Sequence, residues 1–220
     1  MMIAMAAAEL RSQFRALPKP DREANQSFSI RVWRALSWLE RAEGFTPADT
    51  EGRFISCWIG LNALYGRLDD DHRPWGDREA LGAFLPHIWG LDSKGSLRQV
   101  LGKRQSAVLN LIDDPYLTIR FWEKQSAPAI REAKKDSKEA ILAYQKPNRL
   151  PILKLLFERL YVMRNQVFHG ASTKGGKLNR RALQSSVTAL MDLLPTMLEI
   201  MIEWGIGEDW GEVCYPPEGG

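Results

Sequence analysis

Arg164-Asn165-Gln166-Val167-Phe168-His169 sets a permanent cation and a titratable imidazole five positions apart, and Gly170 follows at once. The chain has only three histidines, and this one closes a strongly apolar run in which the arginine takes an apolar position. Arginine offers several N–H donors in a fixed fork that matches phosphate oxygens. Imidazole exchanges protons near neutral pH. Together they suit scission of an RNA phosphodiester without a metal. The 2′-hydroxyl attacks phosphorus, a base takes its proton, an acid protonates the departing 5′-oxygen, and the cation holds the charged phosphorane.

Geometry limits what one copy of this motif can do. Five residues on a regular helix put Arg164 and His169 about 140° apart around the axis. They converge only where the helix ends, and Gly170 supplies an end because it accepts a left-handed conformation. One motif also carries one histidine. Acid and base together come most simply from two motifs facing each other across the two-fold axis of a homodimer.

Charge is distributed unevenly around the motif. Residues 164–181 hold five basic side chains and no acid, whereas residues 203–220 hold five acids and no base. The net charge is only +3, so the basic block exceeds it. Lys174, Lys177, Arg180 and Arg181 are therefore candidate contacts to RNA phosphates. A solvated loop and helix start would give the same pattern. The acidic tail is expected to fold over the basic block and limit access to it.

The elements that must position these residues are helical. Leu17-Pro18-Lys19-Pro20 breaks the chain early, so residues 1–27 read as an N-terminal extension. Val32, Leu36 and Leu39 form one face of a helix over residues 28–43. Thr46-Pro47-Ala48-Asp49 reads as a capped helix start, followed by the stripe Phe54, Trp58, Leu61, Tyr65. Helices are expected over 77–89, 96–112, 116–125 and 128–144. The pattern sharpens over 150–169. Ile152, Leu156, Leu160, Met163 and Val167 form one row; Leu153, Phe157, Tyr161 and Phe168 form the next, with Arg164 in its gap. Leu183, Val187, Leu190, Leu194, Met197 and Met201 form a heptad-like seam on the last helix, suited to a partner helix in a dimer or inside the bundle. The reading is all-α, a bundle of about six to eight helices, with a helical domain over 28–203 and an acidic tail over 204–220.

Other features carry less. Cys57 and Cys214 do not make a disulfide framework, and Cys57 reads as core, which with the absence of a signal peptide gives a cytoplasmic expectation. No segment reads as a membrane span. Asp69-Asp70-Asp71-His72 with Asp77 reads as a solvated loop rather than a metal site, and His87 as a satisfied histidine. Trp33, Trp38, Trp58 and Trp122 read mainly as core. No metal or other cofactor is expected. A carboxylate such as Glu158 would neutralise Arg164 if its role were structural.

The motif, at the end of a helix in an all-α chain, resembles the HEPN superfamily, whose signature is an arginine, four to six residues and a histidine, commonly with asparagine after the arginine. The segment from Phe54 to Tyr65 is similar to the aromatic second helix of larger bacterial members. The resemblance covers roughly residues 28–203 and implies an up-and-down helical core with inserted helices. It also implies a dimeric, metal-independent endoribonuclease acting as a toxin or in antiviral defence, with RNA as substrate and an antitoxin or regulatory protein as partner. Arg164 and His169 carry over as catalytic, and Asn165 as their polar support. The alternative the family allows is a catalytically inactive module that binds a nucleotide or a protein.

Overall fold

Apolar residues three and four positions apart dominate this chain, and the backbone follows them into helix. The computed structural model describes residues 5–123, 125–170, 176 and 179–215. Among these it contains eleven α-helices: α1 (Ala7–Ala16), α2 (Lys19–Ala24), α3 (Gln26–Gly44), α4 (Thr50–Tyr65), α5 (Asp77–Leu91), α6 (Ser96–Lys103), α7 (Gln105–Ile112), α8 (Ile119–Trp122), α9 (Ser126–Tyr144), α10 (Leu150–Phe168) and α11 (Arg180–Trp204). A 3-10 turn, Pro115–Leu117, precedes α8, and two isolated β-bridges, Arg67 with Val213 and Leu68 with Pro74, are the extended pairings found there. The fold is an all-α bundle, as expected, but with more helices than the six to eight read from sequence.

The extra helices have identifiable causes. The expected helix over 96–112 divides at Arg104, whose Nε bonds Asp192 of α11 at 2.6 Å. The expected helix over 116–125 shortens to the 3-10 turn and the four residues of α8. Near position 46 the cap lies three residues later than expected: the Asp49 carboxylate accepts from the Gly52 N–H at 2.9 Å, and α4 starts at Thr50.

α11 is the centre of the bundle. Leu183, Val187, Leu190, Leu194, Met197 and Met201 are all buried, and α11 packs on α1, α3, α4, α5, α6 and α7. The seam is thus used inside the chain and is not a free dimer face. α11 is the one helix among the described residues long and apolar enough to cross a membrane, and 78% of its apolar window is buried inside the fold. Gly60 of α4 sits where three helices approach. A Cβ there would lie 2.9 Å from Leu194 Cδ2 and 3.3 Å from Trp38 Cβ.

α1 and residues 210–213 join this core. α1 contributes Leu10 and Phe14 and packs on α3 and α11, so much of the segment read as an extension belongs to the bundle. Trp210 and Val213 of the segment read as a tail are also buried. The reason is Arg31 of α3, whose side chain is wholly buried. Its guanidinium donates to five carbonyls: Leu64, Gly66, Trp210, Gly211 and Glu212. Burial pulls its pKa down to about 10, so it remains a cation at neutral pH. Arg34, one turn later, donates to the carbonyls of Cys214 and Tyr215.

The tryptophans divide. Trp58 is core, but Trp33 and Trp122 are exposed, contrary to the sequence reading. Trp33 serves instead as a platform for Arg11 and Arg15 of α1, 4.6 and 5.6 Å from its ring. Cys57 is buried among apolar groups, which pushes its thiol up to about 12.

Candidate functional site

The motif occupies the end of α10. The helix stops at Phe168, the His169 N–H donates to the Asn165 carbonyl at 3.0 Å, and Gly170 takes φ +66°. The expected glycine end is present, and α10 starts with Pro151 in its first turn, where no amide donor is needed.

Arg164 is half-buried and held on several sides without being saturated. Its Nη1 donates to Asn165 Oδ1 at 3.0 Å. Its guanidinium carbon lies 5.8 Å from the Tyr161 ring and 5.0 Å from the Phe168 ring. Its charge partner is Asp77, the first residue of α5, and the closest approach is 3.9 Å, beyond hydrogen-bond distance. Asp77 is itself fixed by Tyr65 of α4, whose hydroxyl donates to Oδ1 at 2.6 Å. Burial, then the Asp77 charge, push the tyrosine pKa upward, so it stays a donor. Asp77 Oδ2 and Arg164 Nε are buried with no hydrogen-bond partner. Tyr65, Asp77 and Arg164 therefore form a chain of positioning contacts that ends in an ion pair with slack in it.

Glu158 is not the carboxylate that meets Arg164. Six residues back on α10 it is turned about 120° away around the axis. In the sequence Asp77 reads as a helix start beside an acidic loop, because nothing in the linear pattern says that α5 begins where α10 ends.

His169 is exposed, and among the described residues its ring makes no side-chain hydrogen bond or ion pair. No hydrogen bond joins it to Arg164. On the side of α10 opposite Arg164, Gln166 is buried, donating to the Tyr116 carbonyl at 2.9 Å and accepting from Asn179 Nδ2 at 2.7 Å. Asn179 takes a left-handed conformation at the start of α11, φ 52°. Gln166, which the sequence reading passed over, thus ties the motif to both neighbouring segments.

The basic block does not form one described surface. Lys174 and Lys177 lie outside the described residues. Arg180 and Arg181 open α11, directly after Asn179. Arg181 lines a separate cleft of about 460 Å³ between α7 and α11.

A second cleft lies along α10 before the motif, and Tyr161 is its lining residue nearest to Arg164 in sequence. The cleft has a volume of about 430 Å³ and lies between Arg78, Leu81, Gly82 and Leu85 on α5 and Lys154, Phe157, Glu158 and Tyr161 on α10, with Glu79 at its edge. Arg78 lies 5.2 Å from the Tyr161 ring that Arg164 also approaches. Partial burial raises the Glu158 carboxyl above its usual range, the Arg159 charge opposing.

The described part of the acidic segment, through Tyr215, packs on the other side of α5 and on α3. Trp210 stacks on His87 with centroids 4.4 Å apart, Glu208 meets His87 at 3.0 Å, and Glu212 meets His72 at 2.9 Å. Residues 205–215 pack on α3, α5 and the loop after α4, and among the described residues no hydrogen bond or ion pair joins them to Arg164, Arg180 or Arg181. His87 is satisfied, as expected. The Asp69 carboxylate accepts from the backbone N–H groups of Asp71 and Arg73, and among the described residues no three His, Cys, Asp or Glu side chains are grouped to hold a metal.

Comparison with family models, with curated proteins and with solved structures gives no match.

Proposed function

We propose that this protein is a metal-independent endoribonuclease that cleaves RNA by attack of the 2′-hydroxyl. Arg164 holds the scissile phosphate, His169 transfers protons, and Asn165 keeps the guanidinium oriented. The observation that carries the reading is the state of Arg164: a cation at an exposed helix end, braced by Asn165, Tyr161 and Phe168, with its carboxylate 3.9 Å away. A phosphate oxygen at hydrogen-bond distance would be preferred over that partner. His169, next to the same helix end, is open to solvent.

One histidine per chain supplies one proton-transfer group, so the reading includes a homodimer whose two motifs share one cleft. An activity of this kind in the cytoplasm needs restraint, which brings in an antitoxin or regulatory protein and a role as a toxin or in phage defence. The HEPN resemblance of the motif leads to the same reading. A second reading, a catalytically inactive module for a nucleotide or protein, is favoured by the absence of any described contact that fixes the His169 ring.

The test is cleavage of single-stranded RNA in EDTA by the wild type and by Arg164→Ala and His169→Ala. The expected result is wild-type cleavage leaving 2′,3′-cyclic phosphate and 5′-hydroxyl ends, with at least a hundredfold loss in each variant. Cleavage that persists in both variants, or that requires a metal, sinks the reading. For the shared cleft, wild type is mixed with His169→Ala subunits and allowed to exchange. Activity should fall with the square of the wild-type fraction; a linear fall excludes a site needing both histidines.

A further inference from the structure

We propose that the cleft between α5 and α10 is a binding subsite for a nucleoside phosphate, the unit of the RNA strand that lies beside the motif. The inference rests on the ribonuclease reading for the polymer, and on the cleft itself for the unit.

The size is right for one such unit. About 430 Å³ falls within the range of small-molecule sites, roughly 300–1,000 Å³. The lining has three kinds of surface in one place. Leu81, Leu85 and Phe157 give a buried apolar floor, with the half-buried Tyr161 ring beside them. Arg78 and Lys154 put cations on the two walls, one from each helix, and Glu79 and Glu158 add carboxyls.

That mixture discriminates between ligands. A bare phosphate or an acidic peptide would bring anions against Glu79 and Glu158 with nothing to offer them. A wholly apolar ligand would strand both cations. A nucleotide matches each part: phosphate oxygens for Arg78 and Lys154, a ring for the apolar floor, and base amino groups for the carboxyls. Glutamate is a known acceptor for such amino groups, and unpaired bases expose the edges that carry them.

Position connects the cleft to the motif. α5 and α10 run antiparallel, since Asp77 at the start of α5 meets Arg164 near the end of α10, whereas Leu85 shares the cleft with Lys154. Ten residues of helix separate Lys154 from Arg164, about 15 Å along the axis. Tyr161 lies between them and is approached by both Arg78 and Arg164. A strand with its scissile phosphate at Arg164 would continue along this line.

Gly82 makes the test clean. It is exposed on α5, lines the cleft, and a Cβ there meets nothing within 4 Å, so a larger side chain fills the ligand space without disturbing the fold. Gly90, on the same helix and also unobstructed, does not line the cleft and serves as the control. Fluorescence anisotropy is measured at low salt with a single-stranded 2′-O-methyl oligonucleotide, which lacks the attacking hydroxyl and cannot be cut. Gly82→Leu and Lys154→Glu should each weaken binding at least tenfold, and Gly90→Leu should leave it unchanged. Equal binding by wild type, Gly82→Leu and Lys154→Glu overturns the subsite, as does a wild type that binds no oligonucleotide. Competition with a free mononucleotide separates the two sources of the same chemistry: displacement assigns the site to free nucleotides as well as RNA, and failure to displace assigns it to the polymer. Cleavage is scored separately. If wild type cuts RNA and Gly82→Leu cuts it equally well, the subsite fails and the catalytic reading stands. If the cleft binds RNA that no form of the protein cuts, the catalytic reading fails and the subsite stands.

Discussion

Arg31 and Arg164 both sit in helices otherwise patterned for burial, yet their surroundings are opposites. Arg31 is wholly enclosed and its donors are spread over five backbone carbonyls from two distant parts of the chain. Arg159, nearly as buried, is fixed by Asp136 and by the Ile112 carbonyl at 3.1 Å. Arg164 is half-exposed, rests on two aromatic rings, and meets its carboxylate only at 3.9 Å. The first two are structural cations with acceptors on two guanidinium nitrogens each, although Arg31 Nε has none. The third keeps donors in reserve. What separates a cation that holds a fold from one that can hold a substrate is the number of acceptors already taken, and residue type or helical position does not reveal it.

That contrast can be broken by substitution. Arg31→Leu has the largest expected effect: five carbonyls lose their donor inside the protein, costing about 3–5 kcal/mol in urea denaturation, comparable to removing one partner of a buried ion pair. A loss under about 1 kcal/mol would mean that water replaces the guanidinium and that Arg31 is no clamp. Tyr65→Phe comes next. It leaves Asp77 Oδ1 without its donor and should cost about 1–3 kcal/mol, with RNA cleavage falling as Arg164 loses its brace. Unchanged stability together with unchanged cleavage would separate Tyr65 from the site. Arg164→Ala should cost less than about 1 kcal/mol, because a partly exposed ion pair at this distance contributes little. It sharpens the contrast if cleavage disappears while the urea midpoint barely moves; a loss as large as that of Arg31→Leu would class Arg164 with the structural cations.

The smallest effect concerns pH. The Glu158 carboxyl has a folded pKa above its unfolded value. Its stabilising contribution is therefore complete below the unfolded pKa and is lost as pH rises through the folded one. Glu158→Gln should raise Tm slightly at neutral pH and converge with wild type near pH 4. An unchanged pH profile would mean that the carboxyl is not desolvated.

The end of α10 was legible because its rows are long and Gly170 closes them, and the seam of α11 because it repeats over about five turns. The partners of these elements were not. Nothing in the stripe ending at Tyr65 signals that its hydroxyl reaches Asp77, and nothing around Asp77 points to Arg164, 87 positions later. The seam of α11 fits a second chain as well as its own bundle, and only the surrounding helices decide. Leu10 and Phe14 lie four residues apart in a short, alanine-rich stretch before two prolines, too little pattern to distinguish a core helix from an extension. Among the tryptophans, Trp33 is exposed with the arginines of α1 over its ring, a pairing its own helical pattern does not signal.

Arg31 also makes the closure of the bundle depend on chain far from α3. Three of its five acceptors are consecutive carbonyls, the first of them 179 residues away at Trp210. Without residues 210–212 the guanidinium would keep only the Leu64 and Gly66 carbonyls in a site closed to water. One side chain thus makes a short segment a condition for the stability of the helices around it.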